Sequence, residues 1–422
     1  MTLSRRALSA LAVAGTVALL ASCAVQTAPD DDAPADDPAA ELTSARGFDM
    51  DAGTIRVGVM TALSGPLAAT AAFQVVGQQA YWDMFNAEGG IAGEYQVELV
   101  PVDNQYNPQL AVQEYQKVKD DVVMFSGVLG DPSNEALLPI IERDDMVVAP
   151  STQSARFANN ANLLPTFTSY QTNAWNTLSY LHQEGIVGED SVVCGLNPAD
   201  QGGEAREIAI EYGAEQLGYT VGPFTEMAAS DAAFTAQVQT LKDADCDVVV
   251  FGGFISNLPS VVAAATQLDF DATWMTEFFA LSDTFRESEI ADYLEEHFYV
   301  TGLAGDLDDT SIEGIGLLTE QIAPTEVNPQ HVYGFMQARG ASVVLEKAIE
   351  LGDLSGPGIM EALNQIDTIS YLGLNGDVTL GPVGERRMPD TSAIFRYDRT
   401  KSFGLSSVGP LYKAPEGNGP GF

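Results

Sequence analysis

Positive charge is what this chain most lacks. Of 422 residues only 19 are Lys or Arg, against 59 Asp or Glu, and the formal net charge is −40. Such a surface repels phosphate backbones and anionic lipid headgroups, which excludes nucleic acid as a partner and excludes electrostatic membrane binding. The acidity itself reads as a solvated surface. Histidine is also scarce. His182, His297 and His331 stand apart in sequence, none has HExxH spacing, and each is expected at the surface or half-buried. There is no GxSxG elbow and no GxxxxGK phosphate loop, and Gly314-Ile315-Gly316 lacks the third glycine of a dinucleotide fingerprint. The run Asp306, Asp308, Asp309 and Glu313 misses the EF-hand register, with Ser311 at position six and Leu317 at position twelve, and reads as a solvated loop. No metal, no cofactor and no catalytic residue is expected, so an enzyme is the disfavoured class. Cysteines number three. Cys194 and Cys246 could pair in an oxidising compartment, but Cys194 falls in an expected strand and Cys246 just before another, an offset that disfavours a disulfide between parallel strands.

What is present starts at the N-terminus. Arg5 and Arg6 precede an apolar run from Ala7 to Leu20, and then comes Leu20-Ala21-Ser22-Cys23. The run is too short to cross a bilayer comfortably, so residues 1–22 read as a signal peptide. A cysteine directly after small residues resembles a lipobox, which makes Cys23 the expected lipidation site and first residue of the mature chain. The protein is then expected on the extracytoplasmic face of the cell membrane, held by its lipid. Residues 23–53, with Asp30-Asp31-Asp32 and Asp36-Asp37 among Ala and Pro, are expected to form an acidic flexible linker.

From Thr54 the pattern becomes β-α alternation. Apolar strands are expected at 55–60, 97–102, 122–125 and 147–149, and again at 191–194, 220–224, 247–251 and 273–276, with helices between them. A strand-like piece at 393–397 closes the series. This predicts an α/β fold of two doubly wound parallel-sheet lobes. In such sheets ligands sit beyond the carboxyl ends of strands. Six loops there are rich in small and polar residues. They begin with Ser64-Gly65-Pro66, Asp131-Pro132-Ser133-Asn134 and Ser151-Thr152-Gln153-Ser154. They continue with Asp200-Gln201-Gly202-Gly203, Gly252-Gly253-Phe254 and Thr276-Glu277-Phe278. Ser133 or Asn134 could cap the helix that follows.

IRVGVMTALSGP (55–66), NAEGGIAG (86–93), VDNQYNPQLAVQEYQKV (102–118) and VVAPSTQSA (147–155) resemble the leucine/isoleucine/valine-type solute-binding proteins of ABC importers. The resemblance implies a type I periplasmic-binding fold with a three-crossover hinge. Lobe 1 would take 54–170 plus about 302–368, lobe 2 would take 171–301 plus about 369–412, and 413–422 would be a tail. It implies a small-molecule ligand in the inter-lobe cleft, ABC permease subunits as partners, and a monomer. The ligand set implied is Ser64, Asp131, Ser133, Ser151, Thr152, Gln153, Gln201, Phe254 and Glu277. Residues 131–133 and 151–153 would hold an amino-acid carboxylate, and Glu277 would pair with its ammonium. Gln201-Gly202 stands where Tyr-Gly is usual, and Asp131 where serine is common, which points to a polar or cationic ligand in place of leucine. The alternative function is a ligand-sensing module for a membrane signalling partner, since one fold serves both.

Overall fold

A computed structural model describes residues 42, 45–65, 67–228, 230–303, 305–417 and 419. The expected signal peptide, Cys23 and the first part of the expected linker lie outside these residues. The first sheet is built from β1 (Phe48–Asp49), β2 (Thr54–Thr61), β3 (Gln96–Asp103), β4 (Met124–Leu129) and β5 (Val148–Ser151). Its helices are α1 (Ala68–Ala87), α2 (Pro108–Val118) and α3 (Asp131–Arg143). The second lobe follows with α4 (Tyr170–Gln183), β6 (Val192–Pro198), α5 (Gln201–Leu217), β7 (Thr220–Met227), α6 (Thr235–Asp243) and β8 (Val248–Phe251). It continues through α7 (Leu258–Gln267), β9 (Thr273–Glu277), α8 (Ala291–His297) and β10 (Phe298–Gly302). The last third holds α9 (Glu313–Gln321), α10 (Pro329–Glu350), α11 (Gly356–Gln365), β11 (Thr368–Ile369), β12 (Val378–Thr379), β13 (Ala393–Tyr397) and β14 (Leu405–Ser407).

In the first sheet β3, β2, β4 and β5 run parallel in that order. In the second the order is β14-β13-β10-β9-β8-β6-β7, with only β13 running antiparallel to the others. Helices cover both faces, which is why the central strands are continuous apolar runs such as Val248–Phe251, buried throughout. The chain passes between the lobes three times, after β5, after β10, and between α11 and β13. The first and third crossings are tied together. Thr168 donates to the Thr391 carbonyl at 2.7 Å, and Ser392 donates to Asn173 Oδ1 at 2.7 Å.

Three expectations need correction. Residues 45–53, assigned to the linker, are folded. β1 pairs antiparallel with the start of β2, Arg46 donates to the carbonyls of Asp144 and Asp145 at 2.9 and 2.7 Å, and the Phe48 ring meets Tyr95 edge-on. A two-residue strand is too short to leave a period in the sequence. Secondly, Cys194 and Cys246 form a disulfide, with Cα atoms 6.0 Å apart. The register pairs Cys194 with Val249, so an extended Cys246 would sit three residues, about 10 Å, further along. The chain does not stay extended there. Asp245 takes a left-handed φ of 52° and the Cys246 N–H bonds back to Leu241 O at 3.2 Å, which folds Cys246 over the sheet toward Cys194. Thirdly, His331 is buried, at 3% exposure. It completes a capping box with Asn328 at the start of α10, and burial pushes its imidazole down to about 4.

Candidate functional site

The carboxyl ends of β4, β5, β6 and β9 bring most of the expected ligand set to one place. Gly130 ends β4 at a φ of 87°, and a Cβ there would lie 2.5 Å from the Tyr106 ring. Only glycine lets the strand turn into α3 against that ring. Asp131 and Pro132 open the helix. Neither Ser133 nor Asn134 is its cap. Ser133 accepts from Asn104 at 3.3 Å, and Asn134 holds the carbonyls of Val128 and Gly130 at 2.8 Å each. In the second lobe Asp200 caps α5 by accepting from the Gly203 N–H at 2.9 Å. A Cβ on Gly203 would come within 1.9 Å of the Pro198 carbonyl, so its bare backbone lets α5 start directly off β6.

The side chains then form two linked clusters. On the first lobe Thr152 donates to Asp131, Ser151 donates to Gln74 Oε1 at 3.0 Å, and Gln153 Oε1 accepts from Asn173 at 3.3 Å. On the second lobe Arg206 grips Glu277 through both oxygens, with N–O distances of 3.0, 3.1 and 2.9 Å, each side chain about 3% exposed. The Arg206 guanidinium also lies 4.6 Å from the centre of the Tyr170 ring. The lobes touch where Glu135 of α3 accepts from Gln201 of α5, and Arg156 pairs with the same carboxylate. Tyr333 of α10 stacks on Phe167 at 3.5 Å between centroids and leans on Phe278, forming an aromatic floor across the hinge.

The electrostatics record the approach of the two lobes. Burial raises the Asp131 carboxyl to about 6; the Thr152 hydroxyl opposes this, and the charges of Asp200 and Glu135 add to it. Burial pushes Tyr106 up to about 12, helped by Asp131 and Asp200. Burial also raises Glu277, against the pull of Arg206. A cavity of about 10 Å³, room for one water, borders Arg206, Glu277, Thr276 and Thr301. Several buried polar atoms nearby have no hydrogen-bond partner among the described residues: Gln153 Nε2, both amide atoms of Asn197, Gln201 Oε1 and Thr276 Oγ1. Among those residues no group of three or more His, Cys, Asp or Glu is arranged to hold a metal ion.

Three expected residues stand outside the clusters: Ser133, bonded to Asn104, and Ser64 and Phe254. Ser64 is exposed and donates to Asp103 at 2.6 Å, and the Phe254 ring packs against the main hydrophobic core. Glu277 is central, but its carboxylate is bound by the chain's own Arg206. The sequence reading missed Arg206, Tyr170, Asn197 and Glu135. Arg206 did leave a signal. It is the lone basic residue of α5, and Gly202, Ala209 and Gly213 share its helical face.

A family model described as periplasmic binding protein matches residues 54–401. The chain belongs to that family. It is 25% identical over 238 residues to the leucine-, isoleucine-, valine-, threonine- and alanine-binding protein of Pseudomonas aeruginosa, covering 54% of this chain and 61% of that protein. It is 28% identical over 204 residues to the Leu/Ile/Val/Thr-binding protein of Salmonella typhimurium, covering 47% and 55%. The matched stretch thus spans about six-tenths of these curated relatives' length. Among solved structures, a fatty acid ABC transporter substrate-binding protein from Thermomonospora curvata superposes with a TM-score of 0.79 at 21% identity, over 89% of this chain and 96% of that one. A branched-chain amino acid ABC transporter protein from Thermus thermophilus with bound valine gives 0.71 at 16% identity, over 88% and 98%. These likenesses establish a two-lobed α/β fold shared with periplasmic binding proteins of type I.

Proposed function

We propose that this periplasmic binding protein captures a small polar solute between its lobes, outside the cytoplasmic membrane, and delivers it to the permease of an ABC importer. The observation that carries this reading is the convergence of strand-end loops from both lobes on one cluster, with partnerless buried polar atoms on each side. Buried polar groups are costly to leave unpaired, so a cleft that keeps several is built to be completed by a ligand. The relatives' names, one an amino-acid-binding protein and one an ABC transporter substrate-binding protein, support import of a small solute. The Cys194–Cys246 disulfide fits an oxidising compartment. On this reading the protein is a monomeric binder, not an enzyme, anchored through a lipid on Cys23.

The test is mass spectrometry of small molecules released from natively purified protein, followed by refolding of the stripped protein and calorimetry with the solute found. One solute at stoichiometric amount, rebinding with a smaller radius of gyration, is the expected result. Protein that neither carries nor binds a small solute would refute the reading. For the anchor, Cys23→Ala should move the protein from the membrane to the soluble fraction; a variant that stays with the membrane removes Cys23 from that role.

A further inference from the structure

An α-amino acid is a zwitterion, so a site for it must offer unspent groups of both kinds: donors for the carboxylate and an acceptor for the ammonium. In this cleft the groups at those positions are already spent. Glu277, the expected ammonium partner, is held on both oxygens by Arg206 inside the protein. On the carboxylate side, Asp131 places a negative charge at the start of α3, Thr152 donates its hydrogen bond to that charge, and Ser151 donates its own to Gln74. Asp200 and Glu135 add further negative charge around Asp131. A free carboxylate would be repelled here. For an organic cation, no carboxylate here is left without a hydrogen-bonding or ionic partner. Asp200 is engaged by the first turn of α5, Asp131 by Thr152 beside the first turn of α3, and Glu135 by Arg156.

What remains unspent is uncharged. Gln153 Nε2 is a free donor, Gln201 Oε1 a free acceptor, and Thr276 Oγ1 can act as either. Asn197 has both amide atoms free at 1% exposure. It sits at the end of β6, and a Cβ on Gly252 would lie 2.6 Å from its Oδ1 and 2.8 Å from Arg206 Nη1. Asn197 and Arg206 thus pack directly on the bare backbone at 252, and a methyl there would push on both. Tyr170 carries the Arg206 guanidinium on its ring, and Tyr106 lies near Asp131.

We infer that the ligand is an uncharged solute bearing neighbouring hydrogen-bond donors and acceptors, a polyol or a small carboxamide, with Asn197 as a specificity-determining contact. This rests on the cleft being the ligand site. Thermal shift at pH 7.5 with three panels tests it: leucine, valine, threonine and alanine; choline and putrescine; and glycerol, ribitol, acetamide and urea. Only members of the third panel should stabilise the protein. Asn197→Ala and Gly252→Ala, each checked for native circular dichroism, should weaken the active compound by about tenfold or more. An amino acid or a cation that stabilises the protein and loses its effect in Tyr170→Ala overturns the inference while leaving the cleft as the site. A blank third panel also overturns it. A compound whose binding survives Asn197→Ala, Gly252→Ala and Tyr170→Ala defeats the cleft reading itself.

Discussion

Arg206→Met is the most informative single change to the stability of this protein. In the native state Arg206 makes three hydrogen bonds to Glu277, at 2.9 to 3.1 Å, and both side chains are about 3% exposed. Methionine keeps much of the volume of the side chain but leaves the carboxylate buried without its counter-ion. Breaking such a pair from one side costs about 3–5 kcal/mol. The assay is urea unfolding followed by far-ultraviolet circular dichroism and tryptophan fluorescence. The three tryptophans divide usefully, with Trp82 in the first lobe and Trp175 and Trp274 in the second. Burial already raises Glu277, and losing Arg206 raises it further. A carboxylate raised in the folded state binds protons more readily than in the unfolded state, so its penalty grows as pH rises through the folded value and fades in acid. The Arg206→Met deficit should therefore shrink toward pH 4. The double variant Arg206→Met with Glu277→Leu should recover most of the loss, because an apolar pair needs no charge compensation. A single variant within about 1 kcal/mol of wild type at pH 7, or one whose deficit ignores pH, would refute the claim that this pair is desolvated and coupled.

Replacing Cys194 and Cys246 together by Ala should lower stability by about 4 kcal/mol in the chain-entropy limit, given their sequence separation of 52, and urea midpoints should match wild type under reducing conditions. Asp131→Asn removes a carboxyl raised to about 6 from its ordinary value of 3.8. The wild type should lose up to about 3 kcal/mol as pH climbs from 4 to above 6, and less in proportion to solvent screening. The variant should then equal wild type near pH 4 and exceed it at pH 7.5 in the absence of ligand; equal stability at both values contradicts the raised carboxyl. Gly334→Ala should cost about 1–3 kcal/mol by prising α10 off α1, because the new Cβ would lie 2.0 Å from the Gln74 carbonyl. A melting temperature unchanged by that substitution would place the two helices further apart than described.

The parts of the fold set by local patterning are legible in the sequence. Apolar runs such as Val248–Phe251 need cover on both faces, and that need implies parallel strands with helices between them. The strand-end loops were legible too, because small and polar residues after a buried strand have few other uses, and most of those loops do converge. β1 was not legible, since its two residues carry no period. β10 was not named either, although Phe298–Gly302 is buried throughout. The disulfide escaped because it depends on a left-handed turn at Asp245 and not on strand spacing.

By itself the sequence determined the class: an acidic chain without catalytic motifs, alternating strand and helix, with small polar loops at the strand ends. Those features are local, and local chemistry fixes them. The tertiary structure decided which charges are free. Whether Glu277 faces a ligand or a partner depends on Arg206, 71 residues away in the chain, and on the small-residue face of α5 that admits it. Whether Asp131 is an ordinary carboxylate depends first on its burial, and then on Asp200, which comes near only where the two lobes meet, and on Glu135 one helical turn along α3. Charge compensation acts through space at a few ångströms, so the pairing of Arg206 with Glu277 could not be read from their spacing along the chain.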